Sequence, residues 1–253
     1  MTAAHLTILT GASRGMGLAM ADQLLREGHE LLGLSRHASA ELTARAGDLG
    51  RRCEQWPVDL ADPAPVAARL AAWLAARGPD GLASVTLINN AGVIPAIAPL
   101  GGIPASDAAR ALRVGLEAPM LLAGAFLEAT SGWPCVRKLL NISSGLGRRA
   151  MASQAPYCAA KAGLDHFTRC VALEEALRPN GARVCSLAPG VIDTDMQRQL
   201  RGADPGRFPD QGNFAELKAQ GMLMSPQDAA QRVLAYLARP DFGANPVGDV
   251  RDK

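Results

Sequence analysis

Short apolar runs alternate with longer stretches of helical period along most of this chain. The runs fall at about 6–10, 31–35, 84–89, 136–142 and 183–188, with a last one near 246–250. Runs of that length suit strands covered on both faces, as in a parallel sheet. Between them, apolar residues recurring every three or four places predict helices near 16–28, 40–48, 62–77, 106–130, 153–178 and 226–238. Strand then helix, repeated, is the pattern of βαβ units. The alternation breaks between Asp193 and Gly221, where Gly202, Pro205, Gly206, Pro209 and Gly212 fall. A loop of that length in a compact fold is usually a lid or binding loop, so 193–221 is read as a lid over a ligand. No internal repeat interrupts the pattern, and residues 1–253 are read as one domain.

Composition narrows the function classes. At 48% apolar residues the chain can fill a core of its own. A net charge of +2 without any charged run gives no argument for nucleic acid. The N-terminus lacks a charged, apolar, small-residue signal, and no apolar stretch reaches membrane-spanning length, so a cytoplasmic protein is expected. Cys53, Cys135, Cys158, Cys170 and Cys185 are far apart, an odd total that suits a reducing compartment. His166 and Cys170 stand at i and i+4 without a third ligand; core packing is expected for them, and no metal site.

The first apolar run leads into Gly11-Ala12-Ser13-Arg14-Gly15-Met16-Gly17 and then into a helical stretch. Glycines there let the chain turn tightly and let a pyrophosphate approach amides at a helix N-terminus, where the dipole favours anions. The spacing is G-x-x-x-G-x-G. After the second run the chain reads Ser35-Arg36, with no acid to meet a ribose 2′-hydroxyl. A guanidinium forks onto a 2′-phosphate instead, and Arg14 can reach the same group, which points to NADPH/NADP+. The alternative is that Arg36 is a solvated loop residue and Ser35 merely ends the strand.

Chemistry is concentrated in Ser144, Tyr157 and Lys161. Tyr157 and Lys161, at i and i+4, share one helix face. An ammonium beside a phenol favours phenolate, so the pair is expected to lower the tyrosine pKa from about 10 toward working pH, as proton exchange with an alcohol or carbonyl requires. Ser144 would hold the same substrate oxygen.

Taken in order, Thr10-Gly-Ala-Ser-Arg-Gly-Met-Gly17, Asp59-Leu60, Asn89-Asn-Ala-Gly92, Asn141-Ile-Ser-Ser144, Tyr157-Cys-Ala-Ala-Lys161 and Pro189-Gly190 with Thr194 resemble the short-chain dehydrogenase/reductases over nearly the whole chain. The resemblance implies an α/β Rossmann fold, a doubly wound parallel sheet of about seven strands flanked by helices. It implies nucleotide contacts from Gly11, Ser13, Arg14, Gly15, Met16, Gly17, Ser35, Arg36, Asp59, Leu60, Asn90, Ala91, Gly92, Tyr157, Lys161, Pro189, Gly190, Val191, Ile192 and Thr194. Asp59 would accept from the adenine amino group, Asn90 would lie under the adenosine, and Thr194 would meet the carboxamide or the pyrophosphate. Thr10 and Asn89 would tie strands together. Tyr157 would act as acid in reduction, Lys161 would hold the nicotinamide ribose, and Ser144 would fix the carbonyl, with Ser143 as the fallback.

Where the family shows Val-Asn-Leu in its fourth crossover helix, this chain has Val114-Gly115-Leu116. Pro119, without an N–H, frees the carbonyl of Gly115, and that carbonyl can hold the water of the family's proton relay. The segments Pro189–Gln197 and Val247–Lys253 are similar to sepiapterin reductases and bacterial benzil reductases. That likeness implies a small-molecule carbonyl substrate, one carbonyl of a vicinal dicarbonyl, in a pocket lined by Leu146, Met151, Val191 and Met196. Asp249 either anchors a guanidine-like edge of the substrate or ends a strand facing water. 3-Oxoacyl or alcohol chemistry, and a non-catalytic nucleotide sensor, are the competing functions. A homodimer is implied through the helices carrying Gly115 and Tyr157, whose small residues from Ala108 to Ala125 suit close packing.

Overall fold

The computed structural model describes residues 4–252, and one parallel sheet organises them. Its strands are β1 (Ala4–Thr10), β2 (Glu30–Ser35), β3 (Cys53–Pro57), β4 (Leu82–Asn89), β5 (Val136–Ile142), β6 (Arg183–Ala188) and β7 (Val247–Asp249). They lie in the order β3-β2-β1-β4-β5-β6-β7, so the winding reverses between β1 and β4. Neighbouring apolar residues point to opposite faces, which is why the strands read as unbroken runs. Ile8, Leu32, Leu87 and Leu139 pack under helices α3 (Pro63–Arg77) and α5 (Ala118–Ala129). Leu9, Leu31, Ile88 and Leu140 pack under α1 (Gly15–Arg26) and α9 (Pro226–Ala238). Helix α2 (Ala40–Asp48) packs on the α1 side, and its Ser39 cap accepts from the Leu42 amide.

Three elements depart from the sequence reading. β3 does not read as an apolar run because it is an edge strand: of Cys-Glu-Gln-Trp-Pro only Trp56 is fully buried. The helix expected over 106–130 is α4 (Ala105–Leu112), a π turn over Arg113–Glu117 and then α5, so the irregularity read from Gly115 and Pro119 is there. Residues 193–221 hold α7 (Asp195–Arg201) and α8 (Gln211–Ala219), too short to show a period; the glycines and prolines punctuate the turns between them. Phe208, fully buried, stacks on Phe214, and Asp193 is held by Lys218 at 2.5 Å and Arg201 at 3.2 Å.

Helix α6 (Ala155–Ala176) buries Tyr157, Lys161, Leu164, Thr168 and Val171. His166 and Cys170 fall on its opposite, exposed face, which corrects the expectation of core packing. A buried polar chain fixes α6 to the sheet: Asn89 Nδ2 donates to Asn141 Oδ1 (2.9 Å), Asn141 Nδ2 to Thr168 Oγ1 (2.9 Å), and Thr168 Oγ1 to the Leu164 carbonyl (2.7 Å). Thr10 Oγ1 accepts from the amides of Asn90 and Ala91, both at 2.9 Å. Thr10 and Asn89 are thus strand ties, as expected. Among the described residues no helix is long and apolar enough to cross a membrane.

Candidate active site

A cleft of about 1010 Å³ opens over the carboxyl ends of β1, β2, β4, β5 and β6, at the point where the winding reverses. Open α/β sheets take ligands there because strand-end loops and helix N-termini converge on it. Every residue singled out above for nucleotide or substrate lines this cleft. The turn after β1 needs its glycines: Gly11 has φ +71, and a β-carbon on Gly17 would overlap the Gly11 carbonyl oxygen. A β-carbon on Gly92 would stand 4.0 Å from both Lys161 Nζ and Met196 Cε, an ordinary contact distance.

The reactive trio comes from two adjacent elements. Ser144 follows β5 and caps a short 3₁₀ turn (Gly145–Gly147), its Oγ accepting from the Leu146 amide at 3.2 Å. Tyr157 and Lys161 come from the first turns of α6, and both are buried. Lys161 Nζ donates to the Ile142 carbonyl at 2.7 Å, at the end of β5, and lies 5.8 Å from the centroid of the Tyr157 ring. The Tyr157 hydroxyl points at Met196 Sδ, 4.0 Å away on α7. Helix α7 therefore rests on the phenol.

Electrostatics here reverse the expected tyrosine shift. Burial pushes the phenol up to about 12, against a counteracting hydrogen bond from Ser144. Lys161 does not offset this, because it sits over the ring and on a backbone carbonyl rather than beside the hydroxyl. Burial also lowers the Lys161 ammonium to about 8, with Asp165 partly opposing. At neutral pH the tyrosine is a protonated acid and the lysine is still mostly charged.

Several charged residues assigned to ligands already have protein partners. Arg14 pairs with Asp195 at 2.8 Å, joining the glycine turn to α7, and Asp59 pairs with Arg110 at 3.2 Å. Asp249 neither faces water nor stands open: it is 6% exposed and forked by Arg251 at 2.7 Å through both oxygens. That contact holds its carboxyl below the usual range. Asn90 Nδ2 donates to the Thr10 carbonyl at 2.9 Å, and Ser35 Oγ to the His37 carbonyl at 2.9 Å, so both side chains serve local structure. Arg36 lines the cleft and makes no ion pair among the described residues.

The family model for short chain dehydrogenase matches residues 5–205. The chain belongs to that family. This short-chain dehydrogenase is therefore an oxidoreductase acting on CH–OH and C=O groups, in a family that uses nicotinamide cofactors. It is 33% identical over 243 residues to a benzil reductase ((S)-benzoin forming) of Bacillus cereus, covering 96% of each chain. It is 33% identical over 247 residues to a sepiapterin reductase of Meriones unguiculatus, covering 93% of this chain and 92% of the other. A short-chain dehydrogenase/reductase from Burkholderia vietnamiensis, 36% identical, superposes with a TM-score of 0.67 over 100% of this chain and 99% of its own.

Sequence reasoning missed some residues of this dehydrogenase's cleft. Gln154, Gln197, Arg149 and Arg251 also line it. The side-chain oxygens of Ser143, Gln154 and Gln197 and the Gln154 amide nitrogen are buried there without a hydrogen-bond partner. No sequence signal marked them: the helix read over 153–178 contains Gln154, which the structure places instead at the N-cap of α6.

Proposed function

We propose that this protein is an NADPH-dependent carbonyl reductase acting on one carbonyl of a vicinal dicarbonyl of the benzil type. The observation that carries the reading is the convergence of Ser144, Tyr157 and Lys161 in one cleft with the glycine turn from Gly11 to Gly17. NADPH would be held by the turn from Gly11 to Gly17, by Gly92 and the strand end from Pro189 to Thr194, and by Arg36 on its 2′-phosphate. It would supply a hydride to the carbonyl carbon.

The chain's own residues do the rest. Ser144 holds the carbonyl oxygen. Tyr157, protonated at neutral pH, donates its proton to that oxygen as negative charge develops on it. Lys161, fixed by the Ile142 carbonyl and lying over the Tyr157 ring, would hold the nicotinamide ribose beside the phenol. A neutral phenol suits the reductive direction.

Within the named relatives, the fork between Asp249 and Arg251 favours the benzil type over the pterin type. A guanidinium of the chain already occupies the carboxylate that a guanidine-like edge would need. Pocket contacts from Leu146, Met151 and Met196 suit an apolar, planar substrate. We further read the chain as one domain, 1–253, with its lid at about 193–221, and as a cytoplasmic homodimer. Five free thiols suit the compartment. Dimer contact is supported by the exposed Leu112, Met120 and Leu121 on α4 and α5 and Leu173 on α6, whereas Ala111, Ala118 and Ala123 belong to the protomer's own core.

Initial rates of nucleotide oxidation with benzil, sepiapterin, a simple ketone and a 3-oxoacyl thioester, each with NADPH and NADH, test the reading. Benzil with NADPH should be fastest. Faster turnover of the thioester would move the protein to 3-oxoacyl chemistry, and nucleotide binding with no turnover on any carbonyl would make it a sensor.

A further inference from the structure

Gln154 is a polar side chain for which the fold has no use. It is fully buried, it lines the cleft three places before Tyr157, and neither its Nε2 nor its Oε1 has a partner. It stands at the N-cap of α6, where a side chain ordinarily accepts from an amide of the first turn, yet it makes no such bond. Only its backbone takes part, the carbonyl accepting from the Cys158 amide at 2.9 Å. A buried carboxamide with both ends unsatisfied is unfavourable unless something else meets it.

The turn that presents it is strained. Ser153 is the one non-glycine residue with positive φ (62°) among the described residues, and its Oγ donates to the Arg207 carbonyl on the lid at 2.5 Å. Left-handed backbone at a serine persists only where its surroundings impose it, and such sites gather where a ligand is bound. Here the lid holds the turn, and the turn aims the carboxamide.

We propose that Gln154 is the specificity contact for substrates carrying a second oxygen on the carbon next to the reacting carbonyl. Nε2 donates to a neighbouring carbonyl and Oε1 accepts from a neighbouring hydroxyl, so a 1,2-diketone answers the nitrogen and an α-hydroxyketone can answer either end. This rests on the reductase reading and adds the residue that selects the substrate. A site built to hydrogen-bond one group discriminates against the analogue lacking it, because its own polar atoms then stay unpaired.

Benzil and deoxybenzoin make the test, since they share a skeleton and differ in the second carbonyl oxygen. In Gln154→Met, with a melting temperature near that of the parent, kcat/KM for benzil relative to deoxybenzoin should fall about tenfold, the worth of one hydrogen bond. Taking that ratio against the parent's cancels the greater electrophilicity of benzil. An unchanged ratio overturns the proposal, as does an equal loss on both substrates. A second measurement needs only the parent: hydrobenzoin, a vicinal diol, should inhibit about tenfold more tightly than 1,2-diphenylethanol. Equal inhibition constants overturn the proposal whether or not the variant folds. If the parent reduces neither ketone with either nucleotide, the reductase reading fails first, a result distinct from any of these.

Discussion

Replacing Lys161 by methionine probes the electrostatics at the centre of the site. Lowering a buried ammonium from 10.5 to about 8 corresponds to about 3 kcal/mol by which the charged form is disfavoured in the folded state. Methionine matches the stem and carries no charge, so that penalty disappears. The variant also loses the 2.7 Å bond to the Ile142 carbonyl, a charge-assisted contact worth about 1.5–3 kcal/mol. The net expectation at pH 7 is a variant as stable as the parent or more stable by about 1 kcal/mol. With rising pH the folded lysine loses its proton through about 8, while the unfolded chain keeps its own up to 10.5. Between those values the unfolded state holds more protons, so this residue makes the parent more stable as pH rises, and methionine contributes no such gain. The variant's advantage should therefore shrink and then reverse between pH 8 and pH 10, by about 2 kcal/mol in all. Urea unfolding at pH 7, 8.5 and 10, followed by tryptophan fluorescence, measures it. Using the difference between the two proteins cancels the other titrating groups. A difference that is flat with pH, or that moves in the variant's favour, refutes the reasoning.

Tyr157→Phe should lower kcat by about 10²–10⁴-fold while NADPH affinity, read by fluorescence titration, stays within about twofold; undiminished turnover would remove the acid from the mechanism. Arg36→Ala should weaken NADPH about tenfold or more and leave NADH unchanged, since only the former carries the phosphate that the guanidinium meets. Equal loss for both nucleotides would assign Arg36 to the solvated loop. Gly115→Asn should lower the melting temperature and slow carbonyl reduction, because a β-carbon there lies 3.1 Å from the Ala160 methyl on the helix carrying Tyr157, and overpacking of this kind costs about 1–3 kcal/mol. A variant at least ten times faster than the parent would show instead that the glycine had impaired the proton relay.

Much of the fold was legible because its strands are covered on both faces and its helices are long. β3 escaped because an edge strand buries one tryptophan, and a single residue has no period. Helices α7 and α8 escaped because seven and nine residues make too few turns to reveal a face. At the site, the positions of Ser144, Tyr157 and Lys161 were legible from spacing, yet the direction of the tyrosine shift was not. Spacing along a helix says that two side chains are neighbours, and it does not say that the ammonium lies over the ring while burial acts on the hydroxyl. The pairings of Arg14, Asp59 and Asp249 were likewise out of reach, since Arg14 finds Asp195 across most of the chain's length. The cleft's unpartnered atoms carry no sequence signal, since Gln154 fell inside the helix read over 153–178 and only the structure sets it at the cap.

Parallel strands receive no help from a tight turn in finding their alignment, and in a sheet covered on both faces a slip by one place moves each apolar side chain only from one core to the other. The thread from Asn89 through Asn141 to Thr168 answers that difficulty. Any misaligned pairing of β4 with β5, or of α6 upon them, leaves buried amides and a hydroxyl stranded, at about 1–3 kcal/mol for each. Asn89 ends β4 directly before Asn90, and Asn141 is the last residue but one of β5, three places before Ser144. Alignment of the sheet and the seating of the helix that carries Tyr157 and Lys161 are therefore tied to the same three side chains.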